Sequence, residues 1–597
     1  MDERNNPEAY YSFDDERREV KIHRYDTPTP WMNYFSNGTF HTMMSQAGGA
    51  VAFYKSPQIW RINRYRFYHL PTDRSGMYVY LRDKHTKKYW SPTSEPVLNK
   101  PERWSAAHGM GYTRFEAENK GLSSQLRYFV GPFENSLIWN LKLKNNTDKP
   151  QNLDVFAYVE FGMMEFLREV SWVCYMKHQM SVDFLKNENA LIFKYGVETQ
   201  PKPDETPLVY LASDHPLKGF DGDRDEFIGT YRSESNPYVV EHQDCTNSTL
   251  FGGDPCGALQ IEVDLQPGEE KTINIFLGTG QDEKHIQKSL AKSRKQGFVD
   301  ESYGAIHKKW TDYLNKFQCK IPDKEAERQI NIWNPYQAQR NFLFSRNISF
   351  YATGTFRGVG FRDTAQDTIP QAAFNTVEAK NKVILLLKQQ YQDGHANHYF
   401  FPVEGYEPVK TIHSDDHLWP IIAVWNIIME DGDQQFLFKE TPYYDGNSAS
   451  VYEHLKQAVQ FTLNNMGERG LPLMLKSDWN DQMFRVCREG KGESFWTSML
   501  LGVVLPKLTE LAKLAGKPDD AAKYMELWKQ QKELVNKIGW DGSWFRRAIM
   551  DSGLYLGTKE NPEAKIWLNA QSWSILSGFA DNEKGTMAMN TVNEKLD

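Results

Sequence analysis

The spacing of apolar residues changes at about residue 281, and this change divides the chain into two kinds of structure. Before it, apolar and polar residues alternate along segments such as 135–161 and 259–280. A period of two is typical of strands with one buried face, and the turns NNTDKP and Pro267-Gly268 indicate two antiparallel hairpins. Because no helical segments separate these strands, residues 1–280 are predicted to form a large antiparallel β-sandwich.

After residue 281 the period becomes helical. Residues 281–320 are polar and predict a linker of one or two helices, whereas residues 321–597 repeat apolar positions at helical spacing. Predicted helices cover 376–392, 450–467, 494–516 and 519–540. Helices separated by long loops rich in acids and aromatic residues are typical of an (α/α)6 toroid, although periodicity alone fits any helical bundle. The predicted fold is multidomain: an antiparallel β-sandwich, a helical linker, and an (α/α)6 catalytic toroid that is incomplete in this chain.

The composition argues against several classes of function. The formal net charge is −8 and the basic residues form no stripe, so no nucleic-acid partner is expected. The N-terminus is acidic and no run of 18 apolar residues occurs, so neither a secretory signal nor a membrane span is predicted. Five cysteines without a CxxC pair fit free thiols and a cytoplasmic location. Aromatic residues, at 14%, fit either a well-packed core or stacking surfaces for sugar rings.

The segment SDWNDQ places Asp478 and Asp481 three residues apart, with Trp479 between them. Asp478 fits a helix N-cap, and this structural interpretation stays open beside a functional one. Asp481 is the better candidate for chemistry. A carboxyl group beside an indole in an aromatic-walled bowl is partly desolvated, which favours its protonated form. A protonated carboxyl group can act as the general acid for a departing glycosidic oxygen.

The segment 345–367 holds three arginines among glycines: Arg346, Arg357 and Arg362. Each could be an ordinary ion-pair partner. Together they fit a grip on an anion or on hydroxyl groups better, because the guanidinium fork matches phosphate oxygens. Asp363, next to Arg362, could accept two sugar hydroxyls.

The segment IHSDDHLWP brings His413 and His417 into an HxxxH spacing. Metal binding is not favoured here, because no glutamate base lies between the histidines and no third ligand is apparent. A helix N-cap around residues 414–416, with Trp419 lining the bowl, is the better structural interpretation. No metal and no cofactor are predicted.

The motifs GFRDTAQD, SDDHLW, DWND and GKGES, in this order, resemble glycoside hydrolase family 94, the inverting disaccharide phosphorylases. The resemblance extends to 29–57, 107–115 and 221–237, and therefore spans essentially the whole chain. It implies a β-sandwich, a helical linker, an (α/α)6 barrel, a small C-terminal β-domain and a homodimer. The substrates that it implies are a disaccharide and inorganic phosphate.

The resemblance also implies roles for particular residues. The second Asp of DWND, Asp481, corresponds to the catalytic acid, and Trp479 lines the donor sugar subsite. Arg357 and Asp363 bind donor hydroxyls, with Arg362 beside them. Arg346 contacts phosphate. These roles agree with the chemistry, since phosphate is already an anionic nucleophile and one carboxylic acid suffices.

The sequence departs from the family in one respect. Members are usually longer, and about nine or ten helices are recognisable after residue 321 where six pairs need twelve. We therefore expect further phosphate and acceptor ligands to lie beyond residue 597, and little activity from this polypeptide alone.

The leading hypothesis is inverting phosphorolysis of a β-1,4-linked disaccharide: cellobiose, cellobionic acid or N,N′-diacetylchitobiose. One alternative is an inverting hydrolase on the same fold, which would need a second carboxylate as base. The other is a non-catalytic carbohydrate-binding protein.

Overall fold

The computed structural model describes residues 10–64, 77–162, 165–195, 207–349, 354 and 357–596. The first nine residues, on which part of the signal-peptide prediction rests, lie outside this range. The chain divides into two compact units. One comprises Met1–Leu343, Asn347–Arg357 and Pro402–Tyr406, and the other comprises Phe344–Arg346, Gly358–Phe401 and Glu407–Asp597.

The first unit is built from antiparallel strands. In chain order they are β1 (Tyr11–Asp14), β2 (Glu19–Ile22), β3 (Met32–Ser36), β4 (Phe40–Ser45), β5 (Ala50–Tyr54), β6 (Met77–Asp83), β7 (Tyr89–Trp90), β8 (Arg103–Gly109), β9 (Tyr112–Asn119), β10 (Leu122–Val130), β11 (Ser136–Asn145), β12 (Gln151–Glu160), β13 (Met180–Leu185), β14 (Ala190–Tyr195), β15 (Leu208–Ser213), β16 (Gly219–Asp223), β17 (Leu250–Phe251), β18 (Pro255–Leu265) and β19 (Glu270–Gly280). Eleven of them form one sheet in the order β1-β2-β8-β9-β10-β11-β19-β15-β14-β13-β17. A second sheet has the order β16-β18-β12-β6-β7, and β3-β4-β5 form a third.

The predicted hairpins at 135–161 and 259–280 are wrong. Strands β11 and β12 follow each other in the chain but lie in different sheets, and so do β18 and β19. Instead, β11 pairs with β19 and β12 pairs with β18. The two connections that cross between the sheets also bond to each other, since Gly268 N donates to Asn145 O at 2.9 Å. The alternating pattern indicates which face of each strand is buried, but it does not indicate which other strand it pairs with.

Helices cover the sheets and build the second unit. In chain order they are α1 (Phe166–Lys177), α2 (Arg224–Ile228), α3 (Tyr238–His242), α4 (Glu283–Ser293), α5 (Phe298–Leu314), α6 (Lys324–Arg328), α7 (Asn334–Phe344), α8 (Phe361–Ala372), α9 (Thr376–Leu387), α10 (Trp419–Asp431), α11 (Val451–Asn464), α12 (Phe495–Leu514), α13 (Pro518–Ile538), α14 (Leu568–Leu576) and α15 (Asn582–Leu596). Residues of α4 and α5 pack on the eleven-stranded sheet, and residues of α2 and α3 pack on the five-stranded sheet. The four helices predicted from periodicity correspond to α9, α11, α12 and α13.

The second unit has a helical core with short strands among its loops. These strands are β20 (Val359–Gly360), β21 (Tyr399–Phe400), β22 (Glu440–Pro442), β23 (Ser448–Ser450), β24 (Glu493–Ser494), β25 (Ala548–Ile549) and β26 (Tyr555–Leu556). One apolar cluster joins α8, α9, α10, α11, α12 and α13. Helix α10 is apolar on most of its surface and is surrounded by its neighbours, as expected for an inner helix. Among the helices of the described residues, none combines the length and apolar character that a membrane span needs.

Candidate active site

The start of α8 organises the charged residues of the second unit. The helix begins after Gly360, which pairs in β20 with Tyr399 of β21. A Cβ at Gly360 would lie 2.3 Å from the Asp363 carboxylate, so only glycine lets that side chain fold back over the helix start. Arg362, Asp363 and Asp367 all lie in the first two turns, and residues 363 and 367 share one face of the helix.

Arg362 is the centre of this cluster. Its side chain is only 5% exposed. Nη1 donates to Asp415 Oδ1 at 3.2 Å and to Asp478 O at 3.1 Å, and Nη2 donates to Asp481. Burial alone would lower the pKa of this guanidinium, but the carboxylates of Asp415, Asp416 and Asp481 raise it above its usual value. Arg362 therefore stays cationic and joins two loops to α8, one containing Asp415 and one containing Asp478 and Asp481.

Asp481 lies at the surface of the cluster. It begins a short 3-10 helix, Asp481–Met483, whose N-cap is Asn480. Its side chain is 48% exposed, so the desolvation expected from its aromatic neighbours is not observed. Trp479 is 47% exposed, and its ring centroid lies 6.4 Å from that of buried Trp496. An exposed indole and an exposed carboxyl group are thus neighbours in the chain, and both are accessible to a ligand.

Asp478 has a different environment from Asp481. It is completely buried and forms a two-pronged ion pair with Arg547, with both N–O distances at 2.6 Å. It also accepts bonds from Ser494 Oγ at 2.7 Å and from Asn480 N at 3.1 Å. The predicted N-cap role of Asp478 is therefore wrong: Asn480 caps the following 3-10 helix, and Asp478 instead has a structural role as the partner of a buried arginine.

The histidines of the HxxxH spacing do not converge. His417 Nε2 lies 2.8 Å from Thr462 Oγ1, and burial lowers the pKa of His417 to about 4. His413 instead stacks on His398, with ring centroids 3.8 Å apart and planes at 15°. Its Nδ1 lies 2.9 Å from Ser477 Oγ and 3.8 Å from Asp481 Oδ1. His413 thus packs directly behind the candidate acid.

Buried carboxylates set the charge of this histidine pair. His398 Nδ1 lies 2.9 Å from Asp416 Oδ2. Burial opposes a charge on His398, but Asp416 outweighs it and raises the pKa of this imidazole. Burial, with the positive charges of His398 and Arg362, lowers the pKa of His413 to about 4 although Asp416 opposes this shift. Of the two rings, His398 therefore carries a positive charge more readily than His413.

His398, His413 and Asp481 each offer one ligand atom within 4.8 Å of the others, so they could hold a metal ion. The observed ring orientation does not suit one. Imidazole lone pairs lie in the ring plane, and two nearly parallel stacked rings point theirs along separate lines. A single ion about 2.1 Å from both nitrogens would lie far outside both planes.

Arg346 lies beside the acidic face of α8. It follows α7 with φ of 59°, and Ser345 before it has φ of 49°. Two consecutive non-glycine residues in the left-handed region are uncommon and turn the chain sharply. The Arg346 guanidinium contacts Asp367, and its Nε lies 3.9 Å from Asp363 Oδ1. A cation is thus held on the helix that also carries Arg362.

The remaining predicted residues lie elsewhere. Arg357 is half-buried and belongs to the first unit, so its contact with a donor sugar stays a prediction. Trp419 is buried, and its Nε1 donates to Asp415 Oδ2 at 3.0 Å, so it supports the cluster rather than lining an open bowl.

The sequence reasoning missed His398 and Arg547. The aromatic-rich segment NHYFF, which contains β21, was an available signal for His398. No local signal in the sequence marked Arg547, because its partner Asp478 lies 69 residues away in the chain.

An antiparallel sandwich followed by a helical unit with this cluster of arginines, carboxylates and an exposed indole defines a carbohydrate-active enzyme. Residues 18–296 match the supersandwich domain of glycosyl hydrolase 94, and residues 309–597 match the catalytic domain of the glycosyl hydrolase 94 superfamily.

Curated relatives agree with these matches. An N,N′-diacetylchitobiose phosphorylase from Vibrio proteolyticus is 32% identical over 98% of this chain and 75% of its own length. A solabiose phosphorylase from Paenibacillus borealis is 29% identical over 96% of this chain and 72% of its own. A bacterial glucoamylase complexed with acarbose shares the fold, with a TM-score of 0.55 at 11% identity over 98% of this chain and 78% of that one. The chain belongs to glycosyl hydrolase family 94, and it is an enzyme of the disaccharide phosphorylase type.

Proposed function

We propose that the chain catalyses inverting phosphorolysis of a β-1,4-linked disaccharide, giving an α-sugar 1-phosphate and a free acceptor sugar. The candidates are N,N′-diacetylchitobiose, cellobiose and cellobionic acid. The relatives support a disaccharide substrate, and two N,N′-diacetylchitobiose phosphorylases at 32% identity place that sugar first for testing.

One observation carries the proposal: helix α8 contacts both Arg346, the proposed phosphate ligand, and Asp481, the proposed proton donor. Arg346 contacts residues 363 and 367 of α8, and Arg362 of α8 contacts Asp481. The proposal places a phosphate at Arg346 and a proton donor at residue 481, with the donor sugar ring between them.

The proposed mechanism needs one acid and no general base. Phosphate attacks the anomeric carbon from the face opposite the leaving group, while Asp481 delivers its proton to the departing glycosidic oxygen. In synthesis the Asp481 carboxylate takes the acceptor hydroxyl proton back, as microscopic reversibility requires. Trp479 would stack on the donor ring, and Arg357 and Asp363 would bind its hydroxyls.

Electrostatics explains why arginine is needed at the phosphate position. Arg346 lies between the carboxylates of Asp363 and Asp367, and these groups would repel a phosphate dianion. A guanidinium offsets this repulsion and can bind two phosphate oxygens at once. The proposal uses no cofactor beyond phosphate. The homodimer stays a prediction of the family resemblance, and the cytoplasmic location stays a prediction from the cysteine content.

The test runs the reaction in the synthetic direction. The chain is incubated with α-glucose 1-phosphate or α-N-acetylglucosamine 1-phosphate and a panel of acceptors: glucose, gluconic acid and N-acetylglucosamine. Phosphate release is measured, and NMR of the phosphorolysis product reports the anomeric configuration. Asp481→Asn should reduce the rate by about 10²–10⁴-fold. The surface variant Asp312→Asn, on α5, serves as the matched control.

If neither donor releases phosphate with any acceptor, the proposal fails. Release of free sugar from the disaccharide in phosphate-free buffer would instead indicate a hydrolase.

A further inference from the structure

A polar cavity of about 570 Å³ lies in the first unit, between the β1–β2 turn, strands β9 and β10, and helix α5. This volume is in the range of small-molecule sites. Its lining contains four arginines against two glutamates, so its charge is positive. The cavity shares no residue with the cluster around Asp481, and the function proposed above gives it no role.

The buried glutamate of this cavity already has partners. Glu19 accepts a bond from the Tyr112 hydroxyl at 2.6 Å and one from Arg114 Nη2 at 2.8 Å. Arg114 also contacts Glu116. The charge of Arg114 is therefore matched by carboxylates, and the positive charge of the cavity comes from its other arginines.

Arg127 and Arg18 contribute to that positive charge, together with Arg17. Among the described residues, no carboxylate lies within 4 Å of the Arg127 or the Arg18 guanidinium. Arg127 has its guanidinium carbon 3.9 Å from the Tyr303 ring centroid, and its Nε is buried without a hydrogen-bond partner in the part of the chain that the structure describes. Its Nη2 makes only a 3.5 Å contact with Gln125 Oε1. Arg18 donates to Thr311 Oγ1 at 3.2 Å.

The same positive charges act on the side chain of His307. Burial, together with the positive charges of Arg127 and Arg18, lowers the pKa of this imidazole although Glu19 opposes the shift. His307 is therefore neutral at neutral pH and can offer either a donor or an acceptor to a ligand.

We infer that this cavity binds inorganic phosphate or a sugar 1-phosphate, at a site separate from the catalytic cluster. Stacking on Tyr303 fixes the plane of the Arg127 guanidinium, so its fork is oriented before a ligand arrives. A phosphate dianion matches two guanidinium groups that have no carboxylate partner among the described residues better than a monocarboxylate does. The open cavity beside the fork could accommodate a sugar ring.

The experiment is isothermal titration calorimetry of the full chain with inorganic phosphate, α-glucose 1-phosphate, and acetate as a monocarboxylate. Arg127→Gln and Arg18→Gln are compared with Arg103→Gln, which removes an 85% exposed arginine outside this cavity. Arg346→Gln separates binding at the catalytic cluster from binding here. Circular dichroism melting confirms that each variant is folded.

We expect Arg127→Gln to weaken one phosphate-binding event by about tenfold or more, the loss typical of a charged hydrogen bond. Arg103→Gln should leave that event unchanged, and so should Arg346→Gln, whether or not Arg346 itself holds phosphate. If glucose 1-phosphate binds more tightly than phosphate, the cavity is a sugar-phosphate site. If phosphate binds more tightly, it is a site for free phosphate. Equal binding in the folded Arg127→Gln variant, or acetate binding as tightly as phosphate, would overturn the inference.

Discussion

Asp478→Asn tests whether the buried pair with Arg547 holds the catalytic loop in place. Both side chains are fully buried and share two contacts of 2.6 Å. Asparagine keeps the size of the side chain but places an amide N–H₂ where a carboxylate oxygen faced the guanidinium. Arg547 is then left as a buried charge without a counter-charge.

The magnitude follows from this burial. Removing one partner of a buried ion pair costs about 3–5 kcal/mol, because the remaining charge stays desolvated. Two charge-assisted hydrogen bonds at about 1.5–3 kcal/mol each give the same order. Asp481→Asn changes the same atoms three residues later, but that side chain is half exposed, and we expect its free energy of unfolding to stay within about 1 kcal/mol of the original.

Scanning calorimetry and urea unfolding measure the stability of each variant, and the phosphate-release assay measures its activity. Together they separate a loss of stability from a loss of catalysis. Asp478→Asn should lower the melting temperature by several degrees, whereas Asp481→Asn should reduce turnover by about 10²–10⁴-fold and leave the melting temperature almost unchanged. The double variant Asp478→Asn with Arg547→Gln should recover part of the lost stability, since no buried charge is then left unpaired. An Asp478→Asn chain that melts like the original would refute the reasoning, and so would an Asp481→Asn chain destabilised to the same extent.

Two further predictions concern the residues around this loop. Arg362→Lys keeps a positive charge but loses the fork that joins Asp415 to Asp481, so kcat should fall by about 10–100-fold with the melting temperature less affected, and an unchanged kcat would contradict the positioning role. His417 is buried with its pKa lowered to about 4, so the folded chain binds fewer protons than the unfolded chain between about pH 6.5 and 4. Its contribution to stability is complete above this window and is lost as pH falls through it, by about 1.4 kcal/mol per pH unit. His417→Gln should flatten the acid side of a melting-temperature profile, and an unaltered profile would exclude this histidine as the cause.

Helices in the second unit were predictable because one residue pattern decides both their type and their buried face. The segment 376–392 was predicted from periodicity, and α9 is observed at Thr376–Leu387. The early end has a local cause: Lys388 caps the helix, and the following residues turn to bond with the loop that contains His395.

Strand partners were not predictable in the same way. The alternation in 135–161 located β11 and β12 within one or two residues, but both neighbours of β12 are distant in sequence. It also suggested a half-exposed strand, whereas most of β12 is buried because α2 and α3 cover the other face. Such burial depends on residues more than 60 positions away.

The candidate site also contains features that a local motif predicts and features that depend on distant residues. Asp481 and Trp479 could be selected from a short motif, since their chemistry is local. The pairing of Asp478 with Arg547 and the stacking of His413 on His398 depend on how four separate loops meet. Residue types alone could not distinguish a structural aspartate from a reactive one three positions away.

The order of the eleven-stranded sheet has a consequence for synthesis on the ribosome. Strand β19 is the last of this sheet to be made, yet it lies between β11 and β15 and joins two groups of strands. Until residue 280 has emerged, the nascent chain holds two partial sheets whose open edges can pair wrongly with other chains. Final closure of the sandwich therefore waits for a strand whose partner β11 lies more than 100 residues upstream, which makes this step slow and a natural point for chaperone protection.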